Sequence, residues 1–361
     1  MKILIVGDFY WEIYAQSFYK AFRDKKHDVI KFDTNVYFKS IPNLVGTGKK
    51  KREVKDFGYL FQCKYNIGPI IFKMNLDLKR IIRKENPDLV FLYRDRFTRP
   101  SVLKNIKSKK IKIFTYNNDN PFSLDYKKYF WKNYFKSLSY CDHVFAYRYS
   151  NLEDYRRRGI NNSSILRSYY IKEQNNFVDP STVGSQYQSD VSFIGHFEND
   201  NRDEFLKELI MKDYTIKLFG SGWEKSKYYD FFIKRLGEIK HLKEDYNIAI
   251  NSTKIALVFL SKLNKDTYTR RCFEIPATKT FMLAEYTADL SSMFKEGEEA
   301  EYFRDITEFT RKIEYYLEND KERESIAQNG YKRLISDGHE VSDRVDEIIN
   351  VYKDLINKKE G

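Results

Sequence analysis

Short apolar runs alternate with amphipathic stretches along most of the chain. Residues 2–6, Lys-Ile-Leu-Ile-Val, end at Gly7 as a buried parallel strand does. Residues 12–24 read as an amphipathic helix and residues 28–32 as a second strand. Residues 39–66 are polar and irregular, a span expected to include a mobile loop. A helical pattern resumes over 72–85, and Pro87 punctuates it. Three further strands are predicted at 88–93, 111–116 and 143–147, the last two separated by a Tyr- and Lys-rich helix.

Residues 172–189 break this alternation. They are polar, include Pro180 and Gly184, and read as a linker. The alternation then restarts, with strands predicted at 190–194, 214–219, 254–259 and 280–284 and a helix at 202–211. Helices at 305–318, 320–335 and 340–357 close the chain. Strands alternating with helices imply parallel sheets with crossovers. The expected organisation is one α/β domain over 1–172, a linker at 173–189 and a second α/β domain over 190–338. A C-terminal helix in 339–361 is expected to pack back on the first domain. Ligands of open parallel sheets bind beyond the carboxyl ends of the strands, so the chemistry is expected in the turns there, at a cleft between the domains.

Composition narrows the class. A chain of 361 residues, 42% hydrophobic and 17% aromatic, is too apolar to be disordered and long enough for two cores. The longest clean apolar run, 255–260, is too short to cross a bilayer, and the N-terminal run is too short for a signal peptide. A soluble, cytoplasmic protein is expected. Cys63, Cys141 and Cys272 are far apart, as are the five histidines, which argues against a disulfide framework and a metal site. The net charge is +12, and the basic residues read as spread along the chain, with one dense cluster at Lys49, Lys50, Lys51 and Arg52. Such charge suits an anionic substrate, an anionic membrane surface or nucleic acid, and is equally the habit of an AT-rich genome.

Candidate site residues follow the predicted strands. Gly195, His196 and Phe197 stand between a strand and a helix beginning near Arg202. The first turn of such a helix suits a diphosphate, and Arg202 adds a charge-assisted contact. The plainer reading is a tight turn and a solvated arginine. Gly220 and Gly222 form a second glycine turn without the third glycine of a dinucleotide fingerprint. The strongest stretch is Tyr-Thr-Arg-Arg-Cys-Phe-Glu-Ile-Pro-Ala at 268–277. Glu274 there can accept hydrogen bonds from sugar hydroxyls, Arg270 and Arg271 can donate to phosphate oxygens, and Asp266 lies eight positions before Glu274. An Arg–Glu helix pair is the plainer reading of Glu274; it ranks lower because an unpaired glutamate in this apolar setting is costly. In the first half, Asn118 and Asp119 follow a strand, and Asp119 is an acid/base or sugar-binding candidate, against simple turn initiation before Pro121. Arg94, Arg96 and Asp8 are further strand-end candidates.

Several of these stretches resemble the CgeB-like glycosyltransferases, spore-maturation-type proteins with a GT-B fold. The likeness is carried by Val-Ser-Phe-Ile-Gly at 191–195, by Arg202 with Phe205 and Leu206, and by Lys-Leu-Phe-Gly-Ser-Gly-Trp at 217–223. It continues in 269–277, in Phe-Met-Leu-Ala-Glu at 281–285, and through 294–299, 313–317 and 323–331. Asn-Asp-Asn-Pro at 118–121 and Cys-Asp-His-Val-Phe at 141–145 resemble the family's first domain.

The resemblance implies an α/β, GT-B architecture: two Rossmann-like domains whose parallel sheets face a cleft, acceptor-side first, nucleotide-sugar-binding second. It implies a metal-independent, retaining transfer from a UDP- or GDP-type nucleotide sugar to a glycan, lipid-linked or protein acceptor, with no cofactor and no nucleic acid. Peripheral contact with an anionic membrane is compatible with it. Glu274 would bind the donor ribose and Asp266 would fill the earlier acidic position of a paired-glutamate motif. Arg202 and Arg271 would steady the diphosphate, and Gly195 would let the backbone approach it. His196, Gly220, Tyr268 and Arg270 complete the donor set, Asp8, Arg94, Asn118 and Asp119 the acceptor set, and Asp119 and Glu274 are the catalytic candidates. One departure stands out: where the family has a glycine-containing step, this chain has Thr278, Lys279 and Thr280. Lys279 either replaces a backbone contact with a charge or faces solvent. The rival readings are a non-catalytic nucleotide- or glycan-binding protein on a degenerate scaffold, and a basic nucleic-acid binder, which lacks a groove-reading motif.

Overall fold

The structure, a computed structural model, describes residues 1–38, 44–45, 52–53, 57–242 and 244–357. It divides into two compact units, Met1–Arg167 with Val341–Gly361, and Ser168–Glu340.

The first unit runs β1 (Lys2–Gly7), α1 (Ala15–Asp24), β2 (Asp28–Asp33), a short antiparallel pair β3 (Leu44–Val45) and β4 (Arg52–Glu53), then α2 (Phe57–Tyr65), α3 (Pro69–Glu85) and β5 (Leu89–Tyr93). It continues with α4 (Pro100–Lys107), β6 (Lys112–Asn117), α5 (Lys132–Ser137), β7 (His143–Ala146), α6 (Tyr149–Arg157) and β8 (Ser163–Ile165). The main sheet has the order β2-β1-β5-β6-β7-β8, parallel throughout. β1 and β5 lie inside it and are buried on both faces, which is why each reads as an unbroken apolar run. α3 begins with Pro69 in its first turn and ends at Asn86, whose φ of 44° is left-handed. From β1 the chain builds outward to β2, then crosses to β5 on the other side. The topological switch point therefore lies at the carboxyl ends of β1 and β5.

The second unit repeats the scheme with five strands. It runs β9 (Ser189–Ile194), α7 (Arg202–Ile210), β10 (Ile216–Phe219), α8 (Tyr229–Leu236), α9 (Tyr246–Asn251), β11 (Thr253–Val258) and α10 (Arg271–Ala277). It closes with β12 (Phe281–Glu285), α11 (Ala288–Met293), β13 (Glu301–Phe303), α12 (Ile306–Glu318) and α13 (Asp320–Ser336). The sheet order is β10-β9-β11-β12-β13, again all parallel, so its switch point lies between β9 and β11. α12 is capped by Asp305, which accepts from Glu308 N at 2.8 Å. The last helix, α14 (Val341–Asn357), belongs to the first unit and packs on α1, with Lys25 Nζ 2.7 Å from Asp346.

Two sequence expectations need restating. The division falls at 167/168 and 340/341, and residues 173–189 are part of the second unit rather than a free linker. Their polarity is used internally: Val178 N donates to Asn251 Oδ1 at 2.8 Å, and Asn176 N to Asn247 Oδ1 at 3.2 Å. Within the span expected to be irregular, residues 57–65 form α2, in which Phe57, Phe61 and Tyr65 recur at the four-residue helical spacing. Apart from β3 and β4, the rest of 39–56 lies outside the described residues, and with it the expected mobile loop and Lys49, Lys50 and Lys51.

Candidate functional site

The carboxyl edge of the second sheet carries two glycine turns in backbone contact. Gly220 has φ +135°, and a Cβ there would lie 2.0 Å from the carbonyl oxygen of Gly195. Only glycine fits such a crossing. Phe197 N donates to Ser221 O at 3.0 Å, and Trp223 Nε1 donates to Gly195 O at 3.0 Å. The result is a rigid turn with little side-chain cover, the kind of surface a diphosphate approaches.

Arg202 opens α7 beneath this turn. Its side chain is 1% exposed. Nε and Nη2 hold Asp200 at 2.8 and 2.5 Å, and Nη1 donates to His196 O at 2.8 Å. Its charge is committed to Asp200, so it braces the 196–201 turn; the free cation expected from the sequence is not present. His196 is exposed, and its Nε2 lies 2.9 Å from Glu198 Oε1. Glu198 also accepts from Ser261 Oγ, after β11, at 2.9 Å. Burial pushes its carboxyl upward, but the His196 bond, the Arg202 charge and the Ser261 bond outweigh this and hold it below the usual carboxylate range.

α10 carries the other arginines. Glu274 is buried, with Oε1 accepting from Arg270 Nε and Oε2 from Tyr246 OH, both at 2.5 Å. The Arg–Glu helix pair, ranked lower on sequence grounds, is thus formed, with Tyr246 as a third member 28 positions upstream. Burial and then the Glu274 charge push the Tyr246 hydroxyl well above its usual pKa. Arg270 also lies over the Tyr169 ring at 4.7 Å. Arg271 differs. No carboxylate pairs with it among the described residues, its Nε is buried without a hydrogen-bond partner, and its guanidinium lies 5.8 Å from the Phe193 ring. Arg202 stands over the same ring at 5.8 Å, and a Cβ at Gly195 would lie 2.6 Å from it. Phe193 therefore ties Arg271 to the glycine turn.

The structure thus brings Gly195, His196, Arg202, Gly220 and Arg271 together, with Arg270 and Glu274 forming an adjoining buried group. Tyr268 is wholly buried with its ring against Phe273 at 5.6 Å, so the donor contact expected of it is replaced by packing. Asp266 is half-buried in the loop after β11, its N donating to Ser261 O at 2.9 Å.

In the first unit, a cavity of about 380 Å³ opens at the switch point of β1 and β5. Asp8, Trp11, Tyr14, Tyr93, Arg94 and Arg96 are among its lining residues. Asp8 is exposed, and its Oδ1 accepts from Tyr10 N at 2.8 Å. Arg94 sits at φ 49°, left-handed for a non-glycine residue, and pairs with Asp119 at 2.6 Å through Nε and 2.5 Å through Nη2. Burial disfavours the Arg94 charge, but Asp119 outweighs it and raises the pKa. Arg96 lies between the Phe97 and Phe130 rings at 4.3 and 4.1 Å and donates to Asn66 Oδ1 and Cys63 O, both at 2.8 Å. Asn118 O accepts from Arg148 at 3.2 Å, while its side-chain oxygen is buried without a partner. Asp8 and Arg94 thus line the cavity, and Asp119 is joined to it through Arg94. Sequence reasoning missed Trp11 and Tyr14 here, and Glu198 and Tyr246 in the second unit. Glu198 had a usable signal, its place three positions after the strand-end Gly195.

Among the described residues, no group of three or more His, Cys, Asp and Glu side chains is placed to hold a metal, and no helix is long and apolar enough to cross a membrane.

Two parallel α/β units in succession, each polar at its switch point, define the GT-B fold. Residues 202–350 match the model of a family described as Glycosyl transferase-like. No curated protein matches the chain. Solved structures match over its whole length. A sucrose-phosphate synthase from Thermosynechococcus elongatus has a TM-score of 0.70 at 12% identity, covering 99% of this chain and 100% of the other. Anabaena HepE in complex with UDP and glucose has a TM-score of 0.61 at 10% identity, over 100% and 99%. A Listeria monocytogenes protein provisionally described as a UDP-N-acetylglucosamine 2-epimerase has a TM-score of 0.59 at 11% identity, over 99% and 97%. At these identities the likeness is one of fold.

Proposed function

We propose that the protein is a glycosyltransferase that moves a sugar from a UDP- or GDP-type nucleotide sugar to an acceptor hydroxyl, with the second unit holding the donor. The observation that carries this reading is Arg271: a guanidinium without a carboxylate partner among the described residues, 5.8 Å from the Phe193 ring and beside the side-chain-free crossing of Gly195 and Gly220. A diphosphate there would complete the hydrogen bonding that Arg271 lacks. In the reaction the bond from sugar C1 to the diphosphate oxygen breaks and a bond to the acceptor oxygen forms. Arg271 and the turn's backbone take up the charge that develops on the leaving group, so no cation is required. Retention follows the family resemblance, with the acceptor proton passing to the departing phosphate. Glu274 is better suited to positioning than to ribose contact, because Arg270 and Tyr246 already engage both its oxygens and fix α10, which carries Arg271. The aromatic cavity of the first unit, with Asp8 and the Arg94–Asp119 pair, is the candidate acceptor site.

The test is incubation with UDP-, GDP-, CDP- and TDP-sugars, with mass-spectrometric detection of released nucleoside diphosphate and of transferred or hydrolysed sugar. One donor class should be consumed in EDTA as well as without it, and Arg271→Ala should slow consumption about 100-fold or more. Binding without consumption would favour the non-catalytic rival. A sugar isomerised on its nucleotide, without release of diphosphate, would contradict transfer.

A further inference from the structure

The positive charge of the chain is not spread evenly. Residues 57–136 hold 18 Lys plus Arg against 6 Asp plus Glu, a surplus of 12. The whole chain has 64 against 52, the same surplus, so the remaining residues balance at 46 of each sign. Residues 57–136 lie entirely within the first unit.

The same segment exposes large apolar side chains. Phe61 on α2, Ile67 in the turn that follows and Phe72 on α3 are 54%, 52% and 53% exposed, and Leu124, before α5, is 96% exposed. Phe72 and Leu76, one helical turn apart, share the outer face of α3, whereas Ile71, Met74, Leu78 and Ile82 are buried on its inner face. The Phe61 ring lies 4.7 Å from Tyr65, and Tyr65 lies 4.6 Å from Tyr129. Asn66 Nδ2 donates to Phe130 O at 3.0 Å. α2 and the segment before α5 therefore form one continuous surface. Lys64, Lys73, Lys127, Lys128 and Lys132 are exposed around it, and no ion pair joins any of them to a carboxylate among the described residues. A merely solvated face would intersperse both signs of charge and keep its aromatic residues inside.

We propose that this face of the first unit docks on an anionic membrane surface. Phe61, Ile67, Phe72 and Leu124 enter the boundary between headgroups and acyl chains, and the lysines meet lipid phosphate. Charge complementarity selects an anionic surface, and the aliphatic side chains select lipid: nucleic acid would engage the lysines and stack on Phe72 but leave Ile67, Leu76 and Leu124 in water. Docking needs no nucleotide sugar, so it stands or falls independently of transfer.

Full-length protein is floated with vesicles of phosphatidylcholine alone and with vesicles containing phosphatidylglycerol, at low and high salt. Binding is expected only to the anionic vesicles and should weaken as salt rises. Lys73→Gln with Lys128→Gln should weaken it about 25-fold, at ~5-fold per lysine. Leu76→Ser with Leu124→Ser should weaken vesicle binding while leaving any binding to poly-uridine RNA unchanged. All four sites are exposed, so each variant should keep the wild-type thermal transition. Absence of binding to anionic vesicles would overturn the proposal. So would vesicle binding that survives the Leu76 and Leu124 changes, since charge alone would then explain it.

Discussion

Arg202, Arg270 and Arg271 have equal standing in the sequence and different fates in the fold. Arg202 is spent on Asp200 and Arg270 pairs with Glu274, whereas Arg271 has no carboxylate partner among the described residues. A buried donor without a partner costs roughly 1–3 kcal/mol, which a phosphate oxygen would relieve. The Arg270–Glu274 pair was legible as an i,i+4 helix pair; the commitment of Arg202 was not, because it depends on how the 196–201 turn curls Asp200 back onto its neighbour. The Glu198–Ser261 contact spans 63 positions and was equally invisible. The glycines were legible as turn residues, but not their mutual contact. Gly220→Ala should destabilise the protein by more than about 2 kcal/mol in urea unfolding, since a methyl group would collide with the Gly195 carbonyl. Gly222→Ala, with its nearest neighbour at 3.8 Å, should cost only the left-handed penalty of about 1–2 kcal/mol.

At the scale of elements, β1, β5 and β11 were readable because burial inside the sheets leaves long apolar runs. Short β8 and β13 and the six-residue α9 carry too few residues to show a period. The departure at Thr278, Lys279 and Thr280 takes on a definite meaning. Lys279 lies between the end of α10 and the start of β12, at the amino edge of the sheet, opposite the glycine turns. Its φ of 60° explains why glycine suits the position, and its ammonium rests over the Phe177 and Tyr331 rings at 5.2 and 4.9 Å. Lys279→Gly should leave donor binding unchanged and shift stability by less than about 1 kcal/mol, strain relief offsetting two lost ring contacts. A large loss of donor affinity would contradict this placement.

A second element-scale prediction concerns Glu296, which precedes β13. The Arg304 bond chiefly, opposed by burial and joined by Lys312, holds its carboxyl at about 2. A depressed carboxylate stabilises the fold above its unfolded pKa of about 4.3, and that contribution fades as pH falls toward the folded value. Glu296→Gln should therefore be less stable than wild type at neutral pH, with the gap narrowing between about pH 5 and 2. Urea titrations at several pH values measure it, and a gap that widens on acidification would refute the assignment.

At the scale of the molecule, alternation of strands and helices was enough to read two parallel α/β units. The segregation of charge was also present in the sequence. It becomes meaningful only when α2 and the segment before α5 are seen to form one surface, with α3 packed on α2 and exposed apolar residues on all three. The proposed function requires the second unit to bind a nucleoside diphosphate through Arg271. Isothermal titration of UDP and GDP into wild type and Arg271→Ala tests it most directly. The account predicts saturable binding of one of the two, weakened at least about tenfold in Arg271→Ala, the cost of one charge-assisted contact, with an unchanged thermal transition. Equal affinity in the two proteins, or no binding of either nucleotide to wild type, would contradict it.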